Sequence, residues 1–106
     1  MLNEARIHDI GEALLCGNGW ILIEGRRGRV FIVLRDGVFY LVYAERVERA
    51  SSLDEAIDRA FRFLEPIRIV TEVGNSVAVS RRVRNEVDGR ALAKVLMTLA
   101  TCLRSF

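Results

Sequence analysis

Glutamine is absent, and proline, histidine and lysine occur once each, as Pro66, His8 and Lys94. One proline and no Pro-, Ser- or Gly-rich run leave no linker or disordered tail indicated. One histidine and two distant cysteines leave no metal site, since zinc needs four ligands and His8 is not spaced from Cys16 or Cys102 like a ligand pair. No apolar run approaches the roughly 18 residues needed to cross a bilayer. The N-terminus lacks the basic-then-apolar layout of a signal peptide. The expectation is a cytoplasmic protein with no membrane partner. Walker, G-x-G-x-x-G and G-x-S-x-G patterns are also missing. No catalytic residue and no cofactor is therefore assigned, and the chain reads as a non-enzyme. Asp54, Glu55 and Asp58 cluster, but in the first turns of a helix carboxylates complement the helix dipole. His8 and Asp9 fall on an ordinary amphipathic segment.

What is present is apolar and arginine-rich. The 106 residues are 51% hydrophobic and 28% charged, with a net charge of +2, which suits one domain that gains from self-association. Lys94 apart, every basic residue is arginine. A GC-rich genome or a thermophilic source accounts for that bias. The functional alternative is that planar guanidinium groups contact phosphates and stack on bases. Because acids nearly balance bases, a nucleic-acid surface would have to come from segregation of charge. Cys16 and Cys102 read as buried structural thiols, with a disulfide tying the terminal helices together as the alternative that an intracellular hyperthermophile protein would permit.

Along the chain, Ile7, Ile10, Leu14 and Leu15 have helical spacing between Asn3, a candidate N-cap, and Gly17, a stop, so a helix is expected from Asn3 to Cys16. Trp20 to Tyr43 is cut into three strand-like runs by Gly25-Arg26-Arg27-Gly28 and Asp36-Gly37. Ser52-Leu53-Asp54-Glu55 is a capping-box pattern opening a helix with Leu53, Ala56, Ile57, Ala60, Phe61 and Leu64 on one face, ended by Pro66. Residues Ile67 to Val73 and Ser76 to Val83 flank Gly74-Asn75 as a hairpin, and a helix is expected from Asp88 to the end. The fold expected is α+β, in the order α-βββ-α-ββ-α, a mainly antiparallel sheet with helices on one face, in a single domain spanning 1–106.

Turn geometry fixes which residues share a face. Arg35 pairs with Val38, Val33 with Tyr40, Phe31 with Val42, Glu24 with Arg29 and Leu22 with Phe31. One face of the meander then collects Ile21, Ile23, Val30, Ile32, Leu34, Phe39, Leu41 and Tyr43, the core side. The other collects Trp20, Leu22, Phe31, Val33, Val38, Tyr40 and Val42 with Glu24, Arg29 and Arg35. In the second hairpin a two-residue turn opposes Arg68 to Arg81, which like charges disfavour. A three-residue loop from Gly74 to Ser76 instead groups Ile67, Ile69, Val73, Val77, Val79 and Val83 inward and sends Arg68, Glu72, Ala78, Ser80, Arg82 and Arg84 outward. In the last helix Leu92, Val95, Leu96, Leu99, Leu103 and Phe106 form a broad apolar stripe, widened by Met97 and Cys102, while Arg90, Lys94, Thr98, Thr101 and Ser105 form a narrow polar one. That breadth suggests a homo-oligomer interface through the C-terminal helix, 90–106, or through the outer sheet face.

Aromatic faces and backbone-tracking cations are the ingredients of a single-strand binder. The candidate residues are Trp20, Phe31 and Tyr40 with Arg29, Arg35, Arg68, Arg82 and Arg84, plus Arg26 and Arg27 at a tip whose glycines could cradle a phosphate or serve a plain turn. The same face could instead be covered by another subunit, with arginines at the rim, making the protein a structural or scaffolding homodimer. The aromatic and arginine-bearing sheet from Trp20 to Tyr43, the arginine-rich composition and the apolar C-terminal helix together resemble the small archaeal single-stranded DNA-binding proteins of the ThermoDBP type. That resemblance implies a thermophilic, archaeal homo-oligomer holding single-stranded DNA or RNA in a cleft of aromatic and basic side chains.

Overall fold

The computed structural model describes residues 13–74 and 77–103. Strands β1 (Gly19–Gly25), β2 (Gly28–Arg35), β3 (Val38–Val42) and β4 (Val47–Ala50) are followed by helix α1 (Leu53–Leu64), strands β5 (Pro66–Val73) and β6 (Val77–Arg82), and helix α2 (Glu86–Cys102). They form an α+β fold in which one six-stranded sheet, ordered β4-β3-β2-β1-β5-β6, is antiparallel at every pairing.

The meander forms in the expected register. Leu22 opposes Phe31, Val33 opposes Tyr40 and Arg35 opposes Val38. Asp36 and Gly37 both have positive φ, 50° and 80°, as the tight turn of a twisted hairpin requires. The three-residue connection of the second hairpin is also as expected, with Val73 opposite Val77. Asn75 and Ser76 themselves lie outside the described residues.

Both helices lie on the face bearing Ile21, Ile23, Val30, Ile32, Leu41 and Ile69, where those six side chains are fully buried. Helix α1 starts at Ser52, whose hydroxyl accepts the Glu55 amide at 3.1 Å, while the Ser51 amide donates to the Glu55 carboxylate at 3.0 Å. It buries Leu53, Ala56, Ile57, Ala60, Phe61 and Leu64, the whole expected stripe. Its end is joined to the β1–β2 hairpin. The Arg26 and Arg27 amides donate to the Glu65 and Leu64 carbonyls, both at 3.2 Å. A Cβ on Gly25 would stand 2.0 Å from the Leu64 carbonyl oxygen, so only glycine permits that approach.

Several expectations are corrected. Strand β4 is an addition to the expected order; four residues with one strong β-former carry too little pattern to announce it. The expected helix from Asn3 to Cys16 falls mostly outside the described residues, including His8 and Asp9, and its last stretch, 13–16, is not helical. There the Cys16 amide donates to the Thr101 hydroxyl at 3.3 Å instead of to a carbonyl one turn earlier. Cys16 and Cys102 are disulfide-bonded rather than free thiols.

The last helix begins at Asn85, whose side chain caps the Asp88 amide, and residues 104–106 lie outside the described residues. Its buried line is Gly89, Ala93, Leu96, Met97, Ala100 and Thr101, and the small Ala100 and Thr101 let it sit close to Gly19 of β1. Arg90 and Lys94, on the expected polar stripe, bridge to Asp58 and Asp54 of α1 at 3.0 and 2.8 Å. Val77, expected inside, is exposed because α2 covers β5 and β1 and, among the described elements, leaves the edge strand β6 bare; Ile67, also expected inside, is exposed at the start of β5, where its register with β1 shifts.

Candidate nucleic-acid interface

The face opposite the helices is built in rows across the strands. The central row runs Ser80, Val70, Leu22, Phe31, Val42, Val47 from β6 to β4, apolar at every position but the first. Five strand spacings of about 4.8 Å make it roughly 24 Å long. Beside it lies the row Trp20, Val33, Tyr40, Arg49. On its other side Arg82, Arg68, Glu24 and Arg29 stand in line. Trp20, Leu22, Phe31, Val33, Tyr40 and Val42 are half-buried by one another, with no described element above them. Trp20 meets Phe31 edge-to-face, ring centroids 5.6 Å apart at 69°.

Charge is segregated on this face, where Arg29, Arg35, Arg49, Arg68 and Arg82 stand against Glu24 and Glu72. The disposition of Arg68 and Arg82 is informative. They are direct cross-strand partners, so their Cβ atoms are about 5 Å apart, an arrangement that costs stability unless an anion lies between them. The three-residue loop therefore exchanges one opposed arginine pair, Arg68 with Arg81, for another. None of Arg29, Arg35, Arg68 and Arg82 takes part in a salt bridge among the described residues.

Seven of the expected residues, Trp20, Arg29, Phe31, Arg35, Tyr40, Arg68 and Arg82, share this face. Arg26 and Arg27 sit at the hairpin tip, but their amides are spent on the end of α1, so only their side chains could meet an anion. Arg84 leaves the sheet beyond β6 and lines a cleft with Phe61, Pro66 and Glu86 on the helix side. Arg49 and Val47 join the face unforeseen, because they belong to the unanticipated β4. Their alternation with Glu48 and Ala50 is the only sequence signal for them. At one end of the face a concavity of about 330 Å³ brings Trp20 and Arg35 together with Asn18 and Glu72. Asn18 is held by the Asp36 amide, which donates to its Oδ1 at 2.9 Å.

No helix among the described residues is long and apolar enough to cross a membrane. Among those residues there is also no cluster of three or more His, Cys, Asp or Glu fit for a metal. No protein-family model matches the chain, and searches of curated proteins and of solved structures find no match to it.

Proposed function

We propose that the protein binds single-stranded nucleic acid on the sheet face opposite the helices, without enzymatic activity and without strong sequence preference. Bases stack on Trp20, Phe31 and Tyr40, and the backbone follows Arg29, Arg68 and Arg82. The observation that carries this reading is the directly opposed pair Arg68 and Arg82 beside an apolar band. A phosphate relieves that repulsion, whereas the apolar surface of another subunit would desolvate both charges.

Trp20 is the only tryptophan, so titration with oligo-dT and oligo-rU followed by its fluorescence reads the face directly. Expected is quenching whose affinity falls with salt at a log–log slope of about −2, as three phosphate contacts give on a single strand. A folded protein showing no quenching at low ionic strength sinks the proposal. The helix side supports self-association of the same molecule. Val87 and Val95 of α2 are 79% and 54% exposed, and a dimer through this flank leaves the sheet face free. Light scattering showing a dimer that Val95→Lys dissociates without loss of helix supports that arrangement; a wild-type monomer rejects it.

A further inference from the structure

Where the β1–β2 hairpin, the β3–β4 turn and the end of α1 meet, two adjoining depressions of about 390 and 290 Å³ share Tyr43, Arg46 and Phe63. Three observations set this place apart. Phe63 is 61% exposed, on the solvent side of a helix whose other apolar residues are buried. The Arg46 guanidinium lies over the Tyr43 ring, 4.0 Å from its centroid. Arg46 is fixed there by its Nε, which donates to Glu48 at 2.8 Å, and its terminal nitrogens make no other protein hydrogen bond among the described residues. Arg27 and Arg29 line the larger depression, and Arg29 is also the end of the charged row on the outer sheet face.

We propose that this groove is a second nucleotide site, which takes one nucleotide of a strand leaving the sheet over Arg29. The base packs on Phe63 and the Tyr43–Arg46 stack, and the phosphate lies between Arg27 and Arg29. An exposed aromatic beside several guanidinium groups fits an aromatic anion; an apolar protein partner would have to bury Arg27, Arg29 and Arg46, of which Arg46 is paired with Glu48 and Arg27 lies 3.8 Å from Glu65, while Arg29 has no salt-bridge partner among the described residues. The route of the strand rests on the sheet-face reading, but the groove has its own observable.

The test follows the phenylalanine ring resonances of the full chain during addition of thymidine monophosphate alone and of an oligo-dT of about twelve nucleotides. Both ligands are expected to move Phe63, and the oligonucleotide to move Phe31 as well. Phe63→Ala, at an exposed position, is expected to weaken the oligonucleotide about fivefold or more with an unchanged melting midpoint. If Phe31 moves while Phe63 stays, and Phe63→Ala binds like wild type, the groove is rejected and the sheet-face reading stands. If Phe63 moves and Phe31 does not, the groove stands and the sheet-face reading falls. If neither ring moves in the folded protein, both are rejected.

Discussion

At the scale of single residues, the arginines of the outer face make opposite demands on stability and binding. Arg68 and Arg82 are cross-strand partners, so removing one charge relieves repulsion and removes a phosphate contact together. Arg82→Ser is expected to raise stability by up to about 1 kcal/mol in denaturant unfolding, while weakening oligonucleotide binding and reducing the magnitude of its salt slope by about 0.7. A variant that loses stability, or binds with an unchanged slope, contradicts that account. Glu55 is a second residue with a definite sign. The Ser51 hydroxyl and then the Ser51 amide hold its carboxyl below the usual carboxylate range, with Arg59 assisting. A depressed folded-state pKa contributes stability that is present above the unfolded value and lost as pH falls through the folded one. Melting midpoints should therefore drop below about pH 4, and Glu55→Gln should start lower at neutral pH and show a shallower acid drop. Parallel curves for the two proteins would remove Glu55 from the acid response.

At the scale of elements, the close contacts follow from where side chains are missing. Gly89 of α2 sits against α1 and the end of β6, where an added Cβ would come within 2.6 Å of Val83 and 2.8 Å of Phe61. Gly89→Ala would ordinarily favour a helix by roughly 1 kcal/mol. Here overpacking, typically about 1–3 kcal/mol, outweighs that gain, so net destabilisation by chemical denaturation is expected; a stabilised variant would mean that Phe61 moves aside freely. Legibility in the sequence followed the strength of the periodic signal. Helix α1 was fully readable because six apolar positions and a capping box agree. The meander was readable because two tight turns fix a register of period two. Strand β4 was not, and with it Arg49 of the candidate site was missed, since an edge strand of four residues gains its stability from β3 and not from its own composition. In α2 the apolar count suggested a wide buried stripe centred on leucines. Close packing instead favours Gly89 against Phe61 and Val83 and Ala100 against Gly19 of β1, and Arg90 and Lys94 reach carboxylates of α1.

At the scale of the whole molecule, the Cys16–Cys102 bridge joins positions 86 residues apart and so closes a loop containing most of the chain. Two cysteines at that separation read first as buried thiols, because nothing local in the sequence brings the segment before β1 to the end of α2. The contact is made by tertiary structure: the Thr101 hydroxyl accepts the Cys16 amide, and Thr101 itself is buried. Closing a loop of this length restricts the unfolded chain by about 4–5 kcal/mol in the chain-entropy treatment. For a chain of about 100 residues that corresponds to a melting midpoint higher by roughly 15–30 °C. Reductant should lower the midpoint of the wild type by that amount, and the double variant Cys16→Ser, Cys102→Ser should melt like the reduced wild type and ignore reductant. Oligonucleotide affinity near 25 °C is expected to survive in the double variant, since Phe31, Tyr40 and Arg68 are placed by strand pairing in the sheet and not by the bridge. A reduced protein, shown by thiol labelling to be fully open, that melts within about 3 °C of the oxidised form would mean that the unfolded ensemble is already held compact by other contacts. Loss of binding together with the bridge would instead tie the Trp20 end of the sheet to α2 as one functional unit.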